Sequence, residues 1–437
     1  LEGGLASCSP RDGTWAQATG FSAKAGELAL VAVDAAALDS VLFGLGNQDA
    51  AADPFIWGKL PGLLPDGLYR IEPAPEEGGL AALAWVLGTY AFTRYRDRNT
   101  GKARLVLPAG ADGEEASRIA RSVFLARDLI NTPANDMGPE DLEKAVRDLA
   151  KAYKARVQVV RGAALLARGF PLVHAVGKAS VHEPRLIDLR WGRRDGPKVT
   201  LIGKGVCFDS GGLDLKTASG MALMKKDMGG AANAMALARM IMDAGLPVRL
   251  RLIVPAVENA VAGNAFRPGD IYPSRKGLTV EIGNTDAEGR LILADALALA
   301  DEEKPDLLID LATLTGAARV ALGPDLPAFF TDDDLVASEL DEVASQVSDP
   351  LWRLPLWRPY AAKLDSPIAD INHISSDGFA GAITAALFLK RFVEHAASWL
   401  HFDIFAWSPE ARPGRPRGGE AQAIRALYAV IKARYGR

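Results

Sequence analysis

The sequence predicts an α/β protein with two domains, a smaller N-terminal α/β domain and a larger domain with a mostly parallel or mixed sheet flanked by helices. Three observations predict this class. The chain has 437 residues, which is more than one ordinary core accommodates. Apolar runs of strand length alternate with runs of helical period in the C-terminal two thirds. Glycine-rich, charged stretches follow some of the predicted strands, where sites form in open α/β sheets.

Residues 1–112 are expected to form the small N-terminal domain. The apolar run from Leu28 to Val33 has the length of a strand, and residues 35–45 are expected to be helical. Proline and glycine mark turns before the short apolar run at 68–71. A second helix is expected over 80–95, where leucine and valine recur on one helical face.

Residues 113–135 are expected to be a connecting helix, and residues 136–437 the second domain. Ile119, Val123 and Ile130 lie on one face of that helix. A further helix is expected to begin at Pro139, because the first helical position tolerates proline. Strands are then expected at 157–160, 185–189, 199–202, 249–254, 306–311 and 400–404, with helices after Asp227, after Glu288, at 382–393 and at 420–434.

The stretch from Asn284 to Leu291 lies where an alternating apolar pattern changes to a helical one. Asp286, Glu288 and Arg290 follow one another at intervals of two residues there. Two carboxylates at a buried strand end repel each other and resist ionisation unless a cation compensates them. The motif therefore indicates an abnormally titrating acid or a metal site. Taken alone, it is also compatible with a solvated turn.

A second charged stretch follows the predicted strand at 199–202. Its glycines permit the tight turns and close backbone approaches of a loop that forms a site. Its charged residues are Lys204, Asp209, Lys216 and Asp227. Three aspartates, one glutamate and several cations from two loops make a cluster that a solvated surface explains poorly.

Composition excludes several classes of protein. With 49% hydrophobic and 24% charged residues, the sequence is that of a globular protein, and its net charge of −4 predicts neither nucleic acid nor membrane as a partner. Its two cysteines, Cys8 and Cys207, do not make a disulfide scaffold. No apolar stretch is long enough to span a bilayer and no signal peptide is recognised, so the cytoplasm is the expected compartment.

The two charged stretches resemble the signature of the leucyl aminopeptidase (cytosol aminopeptidase) family of two-metal metallopeptidases. The resemblance is close from about residue 115 onward and faint before it. It rests on the ordered motifs Gly203-Lys204-Gly205-x-x-x-Asp209-Ser210-Gly211-Gly212, Met224-Lys225-x-Asp227-Met228 and Asn284-Thr285-Asp286-Ala287-Glu288-Gly289-Arg290, together with Lys216. Shorter matches support it, including Ala312-Thr313-Leu314-Thr315-Gly316-Ala317 and His401-Phe402-Asp403-Ile404.

The resemblance implies a hydrolase that removes N-terminal residues from peptides through a water activated by two metal ions. Residues 136–437 would be the catalytic domain. Asp209 and Glu288 would link the two ions, Asp286 would complete one site, and Lys204 and Asp227 the other. Lys216 would stabilise the oxyanion, and Arg290 would hold a bicarbonate ion that shuttles the proton.

The residue types in the cluster bear on the metal. Carboxylates without imidazole favour Zn or Mn, with Co or Mg as further candidates. None of the five histidines falls in the two charged loops, so each is expected in the core or on the surface.

The resemblance also implies a substrate pocket and an assembly. Met224, Asn284, Thr313, Leu314 and Gly316 match positions that bind substrate in the family. Phe405 stands where the family often has a small residue, so a preference for leucine does not follow, and Ala222 stands where the family often has an aspartate. The expected partners are peptides with a free N-terminus, and the expected assembly is a homohexamer.

Three alternatives are weighed against this interpretation. A two-metal phosphoesterase would need additional histidine or arginine groups, and these loops supply few. A nucleotide-binding module is suggested by Gly203-Lys204-Gly205, but a P-loop has its lysine after the glycines. A DNA-binding multimer without catalytic activity has only the arginines at 412, 415 and 417 as a hint, and a solvated loop explains them better.

Overall fold

The computed structural model describes residues 9–33, 38–46, 53–97 and 101–436. The chain forms two compact units, Leu1–Ala120 with Glu410–Arg417, and Arg121–Pro409 with Gly418–Arg437. The sequence gives no sign that Glu410–Arg417 belongs with the first unit. The expected boundaries at residues 112 and 135 stay predictions. Among the described residues, no helix has the length and apolar content to cross a membrane.

The N-terminal unit contains two small sheets and short helices. Its elements are α1 (Pro10–Thr19), β1 (Leu28–Ala32), β2 (Leu38–Phe43), α2 (Leu60–Leu63), β3 (Gly67–Tyr69), α3 (Gly78–Gly88) and β4 (Ala103–Leu105). The strand expected at 28–33 is confirmed. The helix expected at 35–45 is wrong for Leu38–Phe43, because this segment pairs antiparallel with β1 and tertiary pairing overrides local propensity. Residues 35–37 of that helix lie outside the described residues.

The larger unit alternates strands and helices as expected. From the start of the helix that joins the two units, the elements are α4 (Gly113–Asn131), α5 (Pro139–Tyr153), β5 (Arg156–Arg161), α6 (Ala164–Ala167), α7 (Pro171–Gly177), β6 (Arg185–Gly192), β7 (Lys198–Gly203), β8 (Gly205–Asp209), α8 (Ala218–Met221), α9 (Gly229–Asp243), β9 (Arg249–Asn259), β10 (Ile271–Pro273), β11 (Thr279–Glu281), α10 (Glu288–Asp301), β12 (Leu307–Ala312), α11 (Gly316–Leu322), β13 (Ala328–Phe330), α12 (Asp334–Gln346), β14 (Trp352–Arg353), β15 (Ile371–Asn372), α13 (Gly381–Lys390), β16 (Trp399–Asp403), β17 (Trp407–Ser408), β18 (Gly418–Gly419) and α14 (Ile424–Tyr435).

The main sheet is mixed, in agreement with the predicted fold class. Its nine strands run in the order β14-β13-β16-β12-β7-β9-β6-β5, and β8 also pairs with β9. The central strands β16, β12, β7 and β9 are parallel, whereas β13, β6 and β5 add antiparallel pairs. Strand β7 is buried from Val199 to Gly203, as expected for a strand covered on both faces. The carboxyl ends of β7, β12 and β16 meet at one edge, since Gly203 pairs with Leu311 and Ala312 with Asp403.

Glu143 on α5 forms ion pairs with arginines of β5 and β6 at the edge of this sheet. Its carboxylate accepts hydrogen bonds from Arg147 Nε at 2.7 Å, Arg161 Nε at 3.0 Å and Arg185 Nη1 at 2.8 Å. Burial raises the pKa of Glu143, but the three arginines outweigh burial and lower it from 4.5 to about 2. A depressed carboxyl pKa stabilises the folded protein above about pH 4.5, and this contribution is lost as the pH falls towards 2.

We therefore expect Glu143→Gln to destabilise the protein by roughly 3 kcal/mol at pH 7, because three arginines lose their shared counter-charge. The difference in thermal unfolding midpoint between Glu143→Gln and wild type should become smaller as the pH falls below about 4.5. Glu140→Gln is the control, since Glu140 lies on the same helix and pairs with Arg185 from a side chain that is 67% exposed. Equal losses of stability in Glu143→Gln and Glu140→Gln at pH 7 would contradict this explanation.

Candidate metal centre

The charged residues predicted from two loops meet at the carboxyl edge of the sheet. Lys204 follows β7, and Asp209 is the last residue of β8. Asp227 lies in a 3-10 turn, Met224–Met228, directly before α9. Asp286 lies in a second 3-10 turn, Thr285–Ala287, and Glu288 is the first residue of α10. Each acid thus stands at a strand end or a helix beginning, where the backbone fixes its direction.

Two lysines lie between the carboxylates. Lys204 Nζ is 2.8 Å from Asp227 Oδ2 and 3.0 Å from Glu288 Oε1. Lys216 Nζ is 2.8 Å from Asp209 Oδ2 and 2.5 Å from Asp286 Oδ1. The structure therefore brings together the five residues predicted as metal ligands and one of the two predicted catalytic residues.

The carboxylates have the arrangement that divalent ions require. One oxygen each of Asp209, Asp286 and Glu288 lie within 4.8 Å of one another. Both oxygens of Glu288 are buried; in the described ranges Oε2 has no hydrogen-bond donor, and Oε1 has only its ion pair with Lys204, an ammonium that is shared with Asp227. A buried carboxylate with an oxygen that lacks a donor is unfavourable unless a cation satisfies it. The residues present therefore fit a centre of divalent metal ions.

The electrostatics of the cluster point the same way. Burial and the neighbouring Asp209 raise the pKa of Glu288 to about 8, and both also raise the pKa of Asp286. Burial lowers the pKa of Lys204, but Asp227, Glu288 and Asp209 outweigh burial and raise it above its ordinary value. Without metal, the lysine ammonium groups supply part of the positive charge that the carboxylates require.

A set of polar neighbours orients the acids. Asp209 Oδ1 accepts hydrogen bonds from Gly211 N and Asn259 Nδ2, both at 2.9 Å. Thr313 Oγ1 donates to Asp227 Oδ1 at 2.7 Å, and Thr313 O accepts from Lys204 Nζ at 2.9 Å. Sequence reasoning missed Asn259. Its one sequence signal is its place at the polar end of the apolar run that forms β9, and its position opposite Asp209 in the β8–β9 pair is evident only from the structure.

Arg290, the second predicted catalytic residue, is buried and does not pair with the carboxylates of the cluster within the described residues. Its Nη1 donates to His373 O at 2.7 Å, whereas its Nε is buried without a hydrogen-bond partner in the described part of the chain. Burial lowers the pKa of Arg290 to about 10, so the side chain remains charged at neutral pH. An unpaired, buried guanidinium N–H is suited to a small anion.

A cavity of about 600 Å³ opens in front of the cluster. Four of the predicted substrate-binding residues, Met224, Thr313, Leu314 and Gly316, line it together with Phe405. The structure does not place the fifth, Asn284, along this cavity. Asn284 Oδ1 accepts a hydrogen bond from Asp286 N at 2.7 Å, so this side chain caps the turn that carries a predicted ligand.

Gly289 provides a test of how closely Lys204 is confined. A Cβ at this position would lie 2.5 Å from Lys204 Cε and 2.7 Å from Lys204 Nζ. We expect Gly289→Ala to displace the amine and to weaken divalent-metal binding by more than ~10-fold in a calorimetric titration. Gly263→Ala is the control, since nothing lies within 4 Å of its added Cβ. Unchanged metal affinity in folded Gly289→Ala protein would exclude Lys204 from the centre.

Comparison with known families places this cluster in an established class of enzyme. Residues 124–428 match the catalytic domain of the cytosol aminopeptidase family, and residues 1–108 match the N-terminal domain of these aminopeptidases. The class of protein is therefore a metallopeptidase, a metal-dependent hydrolase. The chain belongs to the cytosol aminopeptidase family and is a metal-dependent aminopeptidase.

Individual relatives agree with this assignment. The chain is 39% identical to a probable cytosol aminopeptidase of Roseiflexus castenholzii over 83% of its own length and 76% of the relative's. It resembles the crystal structure of the cytosol aminopeptidase from Coxiella burnetii with a TM-score of 0.93 and 49% identity, covering 98% of this chain and 93% of that one. The bottromycin maturation enzyme BotP in complex with manganese gives a TM-score of 0.87 at 34% identity, covering 96% and 95%. The comparisons do not support the phosphoesterase or the DNA-binding alternative.

Proposed function

We propose that this aminopeptidase cleaves the N-terminal peptide bond of peptides at a centre of two divalent ions. The observation that carries the proposal is Glu288. Its two oxygens are buried, the Lys204 ammonium is the one group of the described residues that pairs with them, and one oxygen lies within 4.8 Å of oxygens of Asp209 and Asp286. A carboxylate in that position can link two cations. A single isolated ion would not require such a linking group.

Five residues would hold the ions. Asp209 and Glu288 would link them, Asp286 would complete one site, and Lys204 with Asp227 would complete the other. The assignment is supported by the pairing of Lys204 with Asp227 and Glu288 at 2.8 and 3.0 Å. Two dications beside Lys204 would favour its neutral amine, which can serve as a ligand. Metal uptake would therefore release protons.

The remaining catalytic tasks fall to Lys216 and Arg290. When bound, a pair of divalent ions supplies an acidified water and polarises the carbonyl of the scissile bond. Lys216 lines the cavity and would neutralise the oxyanion that develops on the substrate. Arg290 would hold a bicarbonate ion, which supplies a base where no side-chain base is at hand. The unpaired Nε of Arg290 supports this role.

The metal and the substrate follow from the same chemistry. An oxygen-rich centre favours manganese or zinc, with cobalt or magnesium as weaker candidates, and the manganese complex of BotP supports manganese.

The free α-amine of the peptide substrate would bind at the metals. The first side chain would enter the cavity between Met224, Thr313, Leu314 and Gly316. Asn284 would act by holding the turn of Asp286.

We further propose a homohexamer located in the cytoplasm. Large apolar side chains are exposed between residues 352 and 379, namely Trp352, Trp357, Ile368 and Phe379. Large apolar side chains that are more than half exposed support contact between copies of the chain. The cytosolic compartment is supported by the names of the relatives. Analytical ultracentrifugation would test the assembly by giving six times the mass of one chain.

Metal removal and restoration test the proposed reaction. Metal-stripped protein should not cleave aminoacyl-p-nitroanilides, and added manganese, zinc or cobalt should restore cleavage. The N-acetylated anilide of the best substrate is the control, and it should not be cleaved, because its amine cannot bind the metals. Cleavage that survives metal removal, or cleavage of the acetylated anilide at a comparable rate, would contradict the proposal.

A further inference from the structure

Two cations share the cavity with the metal centre and take no part in the proposed chemistry. Lys226 lies in the 3-10 turn between the cavity residue Met224 and the proposed ligand Asp227, and it is only 5% exposed. Arg319 lies on α11, three residues after Gly316. Both side chains line the cavity, together with Phe405.

Phe405 brings the two cations to the same place. Lys226 Nζ lies 4.7 Å and Arg319 Cζ lies 5.0 Å from the centroid of its ring. A ring face attracts cations, although it does not neutralise their charge. An aromatic residue at this position therefore does not make the pocket apolar. It holds two positive groups at the wall of the cavity.

Neither cation forms an ion pair within the described part of the chain. The two carboxylates that act electrostatically on Lys226, Asp227 and Asp403, have other partners. Asp403 accepts hydrogen bonds from Leu314 N, Thr315 N and Thr315 Oγ1 at 3.1, 3.1 and 2.5 Å. Asp227 faces Lys204 at 2.8 Å on the metal side. A buried ammonium group without a carboxylate partner is unfavourable unless an anion satisfies it when the cavity is filled.

We propose that Lys226 and Arg319 select peptides whose first residue carries a carboxylate side chain, aspartate or glutamate. This inference rests on the proposed function, because it assigns the ligand of the pocket that receives the first side chain. Met224 and Gly316, which are predicted to bind that side chain, precede Lys226 by two residues and Arg319 by three, and both line the same cavity. A carboxylate side chain that enters the cavity there would lie close to the buried ammonium of Lys226 and to the permanently charged guanidinium of Arg319.

The test compares glutamyl- with glutaminyl-p-nitroanilide, which differ in charge and hardly in shape. For the metal-loaded wild type we expect kcat/KM to favour the glutamyl substrate by at least ~10-fold. Lys226→Met should bring this ratio close to one. Arg319→Gln should lower it as well and, because Arg319 is exposed, should not affect folding. The ratio is measured within each variant, so any general loss of activity cancels.

Lys225→Met is the matched control, since it is the same substitution one residue earlier. Lys225 donates to Asn131 O at 2.6 Å, and it does not line the cavity, so the ratio should stay at the wild-type value. A wild-type ratio near one, with leucyl- or methionyl-anilide readily cleaved, would overturn the inference and leave the proposed function intact. No metal-dependent cleavage of any anilide would instead overturn the proposed function.

A carboxylate at this place could also be the C-terminus of a dipeptide. Leucylglycine and leucylglycinamide distinguish the two sources, because only the former carries a terminal carboxylate. We expect both to be cleaved with similar kcat/KM in the wild type and in Lys226→Met. A preference for leucylglycine that disappears in Lys226→Met would assign the cations to the C-terminal carboxylate and overturn the assignment to the first side chain.

Discussion

Glu288→Gln is expected to lower kcat/KM for peptide hydrolysis by more than ~1000-fold and to reduce the number of bound metal ions. The amide keeps the shape of the side chain but loses the negative charge that would link two cations. Because Lys204 is the one partner of the buried carboxylate among the described residues, its removal breaks no structural contact beyond that pairing. Folding should therefore be preserved or improved.

The matched control for this variant is Glu302→Gln. Glu302 immediately follows the same helix, α10, and its exposed side chain pairs with Arg275 at 2.7 Å. The same chemical change at that place should leave both metal content and turnover at wild-type levels. Metal content and activity that stay normal in Glu288→Gln would contradict the proposed centre.

Lys216→Met is expected to lower kcat by about 100- to 1000-fold while metal binding is retained. The side chain is paired with Asp209 and Asp286, so its removal leaves the carboxylates more negative and should favour cations. A ligand and an electrophile are distinguished in this way, because losing a ligand weakens metal binding and losing an electrophile does not.

Calorimetric titration with manganese, beside steady-state kinetics, measures the two effects separately. KM should change much less than kcat, because the oxyanion forms only in the transition state. Lys276→Met is a suitable control, since Lys276 pairs with Glu394 at 2.7 Å and does not line the cavity. A loss of metal affinity in Lys216→Met that matches its loss of kcat would make Lys216 a ligand rather than an electrophile.

The sequence predicted that these charged residues converge because they lie at places that local pattern reveals. Lys204 follows a buried apolar strand, and Glu288 stands where strand period gives way to helical period. Parallel strands carry such positions to one edge of a sheet, so that motifs far apart in sequence converge there. The order of the strands and helices is enough to predict this convergence, and the detailed packing of side chains is not needed.

Features that depend on tertiary contacts were not predictable in the same way. Asn259 supports Asp209 only because β8 pairs with β9, and this register is not evident from composition. Phe405 was noted as a departure from the family, but its contact with Lys226 joins two distant segments. Residues 38–43 resembled part of a helix and form a strand because β1 provides the pairing partner.

The number of ions bound at full activity tests the central claim most directly. Metal-stripped protein is titrated with manganese, and bound metal and anilide hydrolysis are followed in the same samples. We predict that hydrolysis reaches its maximum at two bound ions per chain, and that Glu288→Gln reaches neither two bound ions nor the maximal rate. Full hydrolysis with one ion or none, or two bound ions without hydrolysis of any anilide or peptide, would contradict it.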